Sequence, residues 1–542
     1  MSDTHTVRAF LETEHHLWAT EVSDFTSRVL LGRRPPETDD AGRTEARELL
    51  GLMGKAGLYK PIRNRDLRGA CLTRESIASA SPLADAVWAL QGLGITPLLI
   101  AGTDAQRARW AEPALRGDLM GGFAITEPES GSDVASVKTR AEREGDAWVI
   151  TGHKWYISNA GIADFYVVFA STDPDEGSRG LSAFLVPAEA EGLRFAGAQV
   201  MSAPHPLGEL AFEKCRIPAD HLIGDEGRGF MLAMATLDQL RPTVGAAACG
   251  MAERALQEAL SHAVEREQFG KQLADFQLIQ EKLGRMAIEL TASKMLVYRA
   301  AYEKDHGQDR ISVEAAMAKA YATEAAQRII DEAVQVLGGR GVMAEHIVDL
   351  LYRSVRALRI YEGTTEIQHL IIAGQMVANV RAMLEERARL QGKDMQWAAK
   401  LRKAESESSR LKDTLQKMHS TQKGRKDKGV AMARTLPATR KRLPAAMGRS
   451  GKPCDERDHH GIYYRIREEY GRMAGSEYGT RPDAVARLRA KRAADKAARA
   501  GTQKRKKRRE ASGKANPCSS SLFCHTSSLQ ISSASPPPAI WA

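Results

Sequence analysis

Apolar positions recur along this chain with two different periods. Between residues 7 and 118 the spacing is helical: VRAFLETEHHLWATEVSDFTSRVL and EARELLGLMGKAGL are amphipathic, and SPLADAVWALQGLGITPLLIAG is apolar nearly all round, which predicts a buried helix. Thr103 and Asp104 open a further, polar helix, DAQRARWAEPAL. From about residue 119 the texture changes to short β-rich runs, AWVITG, DFYVVFAS, LSAFLVPA and LGELAFEKCRIP, broken by Gly, Pro and Asp. The helical period returns from residue 229. VEAAMAKAYATEAAQRIIDEAVQVLGG places Met317, Ala320, Ile329, Ile330, Ala333, Val334 and Leu337 on one stripe, with Gly338 as the stop. After about residue 385 the core signal fades. The pattern therefore predicts an α+β chain with a helical region (1–118), a small barrel or sheet (119–228), a second helical region (229–385) and a tail (386–542).

Charge sharpens that last boundary. The chain of 542 residues carries a net charge of +10, but residues 1–390 hold 43 basic and 54 acidic side chains, whereas residues 391–542 hold 35 and 14. An acidic front and a strongly basic tail are two physically different objects. The tail contains KRKKRRE, VARLRAKRAADKAARAG, the aromatic patch IYYRIREEY and the end CSSSLFCHTSSLQISSASPPPAIWA. This composition buries little apolar surface and predicts a largely disordered segment. It suits phosphate or another anionic surface without base readout, or no function at all, and KRKKRRE also has the form of a nuclear-import signal. The six cysteines, Cys71, Cys215, Cys249, Cys454, Cys518 and Cys524, show no C-x-x-C pairing, so reduced structural thiols are expected. Cys454 with His459 and His460 is too sparse for a metal site, and no metal is expected. The N-terminus has no signal-peptide core and is too acidic for a transit peptide, and no run of 18 apolar residues predicts a membrane span. A cytoplasmic location is expected, or the mitochondrial matrix for a eukaryotic chain.

Three stretches carry candidate chemistry. In RIYEGTTEIQHLIIAGQMV, the spacing of Ile367, Leu370, Ile371 and Gly374 predicts a helix from about residue 366, and Thr365 with Gln368 fits a capping box. Glu362 then lies on a turn loosened by Gly363, just outside the helix. It is either an acid favoured by the positive helix end or a carboxylate aimed into a cavity as a base. In FAITEPESGSDVASVKTRAER, Thr126, Ser130, Ser132 and the backbone at Gly131 present hydrogen-bonding groups on an irregular loop, either an ordinary turn or a cradle for a polar cofactor. In GHKWYISNAG, Trp155 beside Ser158 and Asn159 is either a core aromatic or the backing of a flat heterocycle.

In order and spacing, TEPESGSD, HKWYISNAG, EREQFGKQLADFQLIQ, AVQVLGGRGV and IYEGTTEIQ resemble the acyl-CoA dehydrogenase family over roughly residues 7–380. The resemblance implies an N-terminal helical domain, a central β domain and a C-terminal four-helix bundle. It implies bound FAD, although no G-x-G-x-x-G fingerprint is present. Thr126 and Ser132 match positions near flavin and substrate. Trp155 and Ser158 match those that pack on the ring and hydrogen-bond near its reactive nitrogen. Arg266, Gln268 and Phe269 match residues that reach the FAD of a neighbouring subunit in a homotetramer or homodimer. Gln335 and Gly339 match a segment that also contacts that FAD, and Thr364 and Glu366 match positions by its ribityl and phosphate part. Asp238 and Arg241 match the CoA side of the cleft; their bland alternative is an ion pair on a helix surface.

The implied reaction is α,β-desaturation of an acyl-CoA thioester, with electrons passed to an electron-transfer flavoprotein. Glu362 would take the α-proton, its own N–H would help hold the thioester oxygen, and Gly363 would leave room for backbone approach. Some members carry the base on an earlier helix, but the matching position here is Leu240, which cannot accept a proton. No glycine-rich connector separates GLYKPI from RNRDLRGACLTRESIA, where many members of the family have one, which predicts altered packing in the N-terminal region or an altered substrate entrance rather than lost chemistry. An oxygen-using acyl-CoA oxidase or flavin monooxygenase of the same fold is the rival. A non-catalytic scaffold bearing a basic arm is a reading of another class.

Overall fold

The computed structural model describes residues 4–421; the tail motifs KRKKRRE, VARLRAKRAADKAARAG and IYYRIREEY, and Cys454 with its two histidines, lie outside them. The first helical layer comprises α1 (Thr13–Phe25), α2 (Asp39–Lys55), α3 (Leu67–Ala80) and α4 (Pro82–Ala101). Each of the last three starts where a short polar side chain accepts from an otherwise orphaned backbone N–H: Thr38 from Ala41, Asp66 from Gly69 and Ser81 from Ala84. The apolar α4 is long enough to cross a membrane, yet 83% of its most apolar window is buried inside the protein. Its composition reflects enclosure on all sides by other elements.

The middle region is one seven-stranded sheet: β1 (Gly121–Ala124), β2 (Arg140–Glu144), β3 (Ala147–Ser158), β4 (Phe165–Ser171), β5 (Leu181–Pro187), β6 (Leu193–Ala198) and β7 (Leu207–Pro218). They are ordered β1-β4-β2-β3-β7-β6, with β5 also paired to β4. Every residue of β4 and β5 is buried, so FYVVFAS and LSAFLVP read as unbroken apolar runs rather than alternating ones. The strands that the pattern did not announce, β1, β2 and β6, are short, glycine-containing or charged. β2, RAERE, and β6, LRFAGA, expose most of their residues, so burial left no apolar imprint on them.

The second helical layer holds α5 (Gly229–Glu265), α6 (Gln277–Asp305), α7 (Ser312–Leu337), α8 (Ile347–Leu358) and α9 (Thr365–Thr421); a small hairpin pairs β8 (Glu267–Gln268) with β9 (Lys271–Gln272) between α5 and α6. Small residues let these helices meet. A Cβ added at Gly250 of α5 would lie 1.9 Å from the carbonyl oxygen of Glu75 on α3, a contact no side chain tolerates. A buried polar knot fixes the same crossing. Lys294 Nζ contacts Glu75 at 2.9 Å and Glu253 at 3.1 Å, and the Tyr298 hydroxyl donates to Glu75 at 2.9 Å. Removing Lys294 would leave the buried Glu75 carboxylate without its counter-charge.

Two arginines tie the helices to the sheet. Arg43 of α2 donates to the carbonyls of Ala160 and Leu207, each at 2.6 Å, and Arg353 of α8 donates to Ser202 at 2.7 Å. The helix α9 continues to Thr421, beyond the fading of the core pattern near residue 385. Lys, Glu, Gln and Ala keep a high intrinsic helix propensity without an apolar stripe.

Candidate active site

The chain turns between α8 and α9, and the turn is built from left-handed backbone. Glu362 has φ +56° and Gly363 φ +92°. For a side-chain-bearing residue that conformation costs about 1 kcal/mol and persists only where the surroundings over-determine it. At Gly363 a Cβ would stand 2.5 Å from Gln368 Nε2, so conformation favours glycine and a side chain would also displace that amide. The helix starts at Thr365, and its cap differs from the sequence expectation. Thr364 supplies the capping oxygen, accepting from the Ile367 N–H at 3.4 Å, while Thr365 donates to Glu324 at 2.7 Å. Gln368 does not close a capping box; its amide reaches back to the carbonyls of Glu362 (3.3 Å) and Gly363 (3.0 Å). A buried carbonyl pair is a stronger attractor for that amide than a single N–H at the helix mouth.

Glu362 Oε2 has no accessible surface and no hydrogen-bond partner among the described residues. Burial raises its pKa, opposed by Arg74 first, then Arg241 and Lys319, and reinforced by Asp85. These groups come from four helices. Arg74 (α3) is held by Asp85 (α4) through two bonds of 2.8 Å, and its third nitrogen donates to Thr243 (α5) at 3.1 Å. Arg241 (α5) donates to Asp238 at 2.5 Å and to the Glu362 carbonyl at 3.1 Å. Lys319 (α7), fully buried, donates to the Gly363 carbonyl at 2.7 Å, and burial brings its ammonium down to about 8. Leu240 is buried close to Gly92.

The structure thus gathers Glu362, Gly363 and Thr364 with Asp238 and Arg241. The last two are not a helix-surface pair, because Arg241 is buried and reaches the Glu362 carbonyl. Glu366 is exposed; its own backbone N–H and then Thr364 hold its carboxylate low. A second group forms on the sheet. The backbone N–H of Trp155 donates to the Thr126 carbonyl at 2.9 Å, setting its half-buried side chain beside that loop, and Ser158 hydrogen-bonds His205 at 2.8 Å. Ser132 is exposed on the same loop. A third group lies where α5 and α7 end. Arg266, Gln268 and Phe269 are exposed on the β8–β9 hairpin, Phe269 with φ +55° and 94% of its surface in solvent, and Gln335 and Gly339 are exposed at the end of α7. Arg340 and Arg266 both act on His262, after burial, to lower its pKa, so the hairpin and the α7 end are neighbours. No hydrogen bond or ion pair joins the three groups among the described residues.

Residues 122–215 match the model of the acyl-CoA dehydrogenase middle domain and residues 227–377 that of the acyl-CoA dehydrogenase C-terminal domain. The chain is 37% identical over 378 residues to the human mitochondrial short-chain specific acyl-CoA dehydrogenase, covering 69% of this chain and 87% of that one. It is 34% identical over 381 residues to the 3-(aryl)acrylate reductase of Clostridium sporogenes, covering 68% of this chain and all of the relative. This chain belongs to the acyl-CoA dehydrogenase family. The solved butyryl-CoA dehydrogenase of Megasphaera elsdenii superposes with a TM-score of 0.63 at 32% identity, over 68% of this chain and 99% of that one. Acyl-CoA dehydrogenases are FAD flavoproteins and oxidoreductases acting on CH–CH groups, and this member has their order of helices, curled sheet and helices.

Several residues around the site escaped the sequence reading. Lys319 stands as one polar residue among the alanines around the stripe of α7, and Gln368 fits the capping box. Arg74, inside CLTRESIA, gave no signal, because its partner Asp85 lies on another helix. Glu127 was read only as part of a loop; its carboxylate accepts from the N–H groups of Lys138 (2.6 Å) and Thr139 (3.0 Å) and pairs with the fully buried Lys154 at 2.8 Å, which shapes the TEPESGSD loop from beneath. A charged residue at an apolar phase of a helix or strand is the sequence cue for Lys319 and Lys154.

Proposed function

We propose that this protein is an FAD-dependent acyl-CoA dehydrogenase that desaturates the α,β bond of an acyl-CoA thioester, with Glu362 as the base and an electron-transfer flavoprotein as the electron acceptor. The observation that carries the reading is the buried Oε2 of Glu362, a carboxylate oxygen without a partner whose proton affinity burial has raised. An orphaned buried acceptor is costly unless it has work to do. The raised pKa brings the base nearer neutrality, where proton transfer from a weak carbon acid is most effective. The backbone N–H on the same turn suits the thioester oxygen, on which negative charge grows as the α-proton leaves.

The residues present fit a flavin. A half-buried indole at Trp155 offers a flat face, Ser158 and Thr126 offer hydroxyls beside it, and the Arg266 guanidinium suits a pyrophosphate. Bound FAD would supply the two-electron acceptor for the β-hydrogen. Within this chain, Trp155 would support the ring and Ser158 would fix its edge. Asp238 and Arg241 would line the CoA side, with Ser132 and Gly363 at the substrate. The exposed hairpin at Arg266, Gln268 and Phe269, together with Gln335 and Gly339, would complete the FAD site of a second copy in a homotetramer or homodimer; Thr364 and Glu366 would face the ribityl and phosphate part.

The test is a panel of acyl-CoA thioesters offered to the purified yellow protein, with reduction of an artificial electron acceptor and oxygen consumption recorded in parallel. Acyl-dependent dye reduction with little peroxide is expected. Peroxide formed as fast as the dye is reduced would transfer the protein to the oxidase reading, and a colourless protein that takes up no FAD would overturn the reading altogether.

A further inference from the structure

Four hydrogen bonds from three helices close on two neighbouring carbonyls. Arg241 Nε and Gln368 Nε2 donate to the carbonyl of Glu362 at 3.1 and 3.3 Å, and Lys319 Nζ and Gln368 Nε2 donate to that of Gly363 at 2.7 and 3.0 Å. The peptide they grip is the one that carries the left-handed base. Arg241 has Asp238 as its own acid partner. Lys319 has none: among the described residues no carboxylate lies within ion-pair distance of its ammonium, although the side chain is wholly buried. A buried cation held by a carbonyl alone is an expensive way to fill a helix interface, since a methionine would occupy the same volume without desolvating a charge. Its one directed bond goes to the turn that bears Glu362.

Resting on the proposed role of Glu362, the geometry points to Lys319 as a positioning residue for the base: with Gln368 it holds the Gly363 carbonyl, and so the strained turn, in the one orientation that presents the carboxylate to the α-carbon of the thioester. Lys319 does not touch substrate in this arrangement. Without its bond, Glu362 is free to relax toward the right-handed region that side-chain-bearing residues prefer, which swings the carboxylate off line. Proton transfer tolerates little misplacement; an error near 1 Å costs on the order of 100-fold.

The experiment separates proton transfer from the redox half of the reaction. Phenylacetyl-CoA has α-hydrogens and no β C–H bond, so it can lose a proton to Glu362 and regain a deuteron from D₂O but cannot be desaturated. Exchange is followed by mass spectrometry for wild type, Lys319→Met and Gln368→Met, alongside kcat and KM on the best desaturated substrate, flavin content and thermal midpoint. For Lys319→Met, exchange and kcat are expected to fall together by about 10- to 100-fold, KM to stay within about threefold, and flavin content and thermal midpoint to match the wild type. Wild-type exchange in a folded Lys319→Met protein overturns the proposal, and so does a loss that only accompanies lost flavin and a lowered midpoint. If Lys319→Met does not fold, Gln368→Met, which removes two of the four bonds, is judged by the same criteria. A wild type that neither exchanges nor desaturates any acyl-CoA would refute the role of Glu362 itself, an outcome distinct from full activity in both wild type and variant.

Discussion

Replacing Glu362 with Gln keeps the volume and shape of the side chain and removes its ability to accept a proton. General bases contribute about 10²- to 10⁴-fold, or roughly 3 to 5 kcal/mol of barrier. The structure places the expectation at the upper end, because no neighbouring acid among the described residues is free to substitute. Asp85 is locked to Arg74 by two bonds of 2.8 Å, Asp238 is engaged by Arg241 and Ser312, and the position used by some relatives is Leu240. The same substitution has a stability signature of known sign. Because burial raises the folded pKa of Glu362 above its unfolded value, the folded state binds this proton more tightly, and the associated stabilisation is lost as pH rises through the folded pKa. The neutral amide escapes that loss. Glu362→Gln should therefore be more stable than wild type near pH 8, by about 1 to 3 kcal/mol if the orphaned oxygen bears a typical desolvation cost, and the difference should close toward pH 4. The assays are acyl-CoA-dependent dye reduction and thermal melting between pH 4 and 8 on flavin-loaded protein. Desaturation within tenfold of wild type, or a variant less stable than wild type at pH 8, would refute the placement of the base.

Arg74→Met strands Asp85 in the core and should cost about 3 to 5 kcal/mol in denaturant unfolding, whereas Arg74→Met with Asp85→Leu should recover most of it, because both charges then leave together. Gly363→Ala forces a methyl group to 2.5 Å from the Gln368 amide at φ +92°; a loss of about 1 to 2 kcal/mol and a fall in kcat with flavin retained are expected in melting and steady-state assays. His205 is held neutral by burial, which lowers its pKa to about 4. Its folded form binds fewer protons than its unfolded form, so its contribution is present above the usual value of 6.5 and is lost as pH falls from there toward 4. His205→Asn should flatten that acid limb by about 2 kcal/mol in unfolding measured from pH 7 to 4.5.

The order of helices, sheet and helices was legible because long buried helices and fully buried strands stamp their period on the chain, as α4 and β4 do. Strands with one exposed face and charged residues, such as β2, leave no such stamp. The turn at Glu362 was legible as a turn, since Gly363 before a polar helix start is a local signal. Its environment was not. Arg74, Asp85, Arg241, Lys319 and Gln368 come from five helices, and their meeting is a property of packing. Gln368 shows the limit most plainly: its sequence position fits a local capping role, and a tertiary partner won the competition.

That environment also explains why burial prevails at Glu362 despite three cations nearby. A cation lowers a carboxylate's pKa only to the extent that its own charge is not already answered. Arg74 is neutralised by Asp85 and Arg241 by Asp238, so each acts on Glu362 as part of a dipolar pair whose field falls off faster than that of a lone charge. Of the three, Lys319 has no acid within ion-pair reach among the described residues, and burial depresses its own pKa to about 8, so it loses charge as pH rises through that value. Were Asp85 or Asp238 removed, the freed arginine would act on Glu362 undivided and pull its pKa down, trading basicity for a more stable carboxylate. The acid partners of those two arginines thus help keep the pKa of Glu362 raised, which the proposed role as base requires. The prediction is that neutralising Asp85 or Asp238 by Asn shifts the acid limb of the kcat profile to lower pH while lowering its plateau; an acid limb that stays in place would break the link between these pairs and the base.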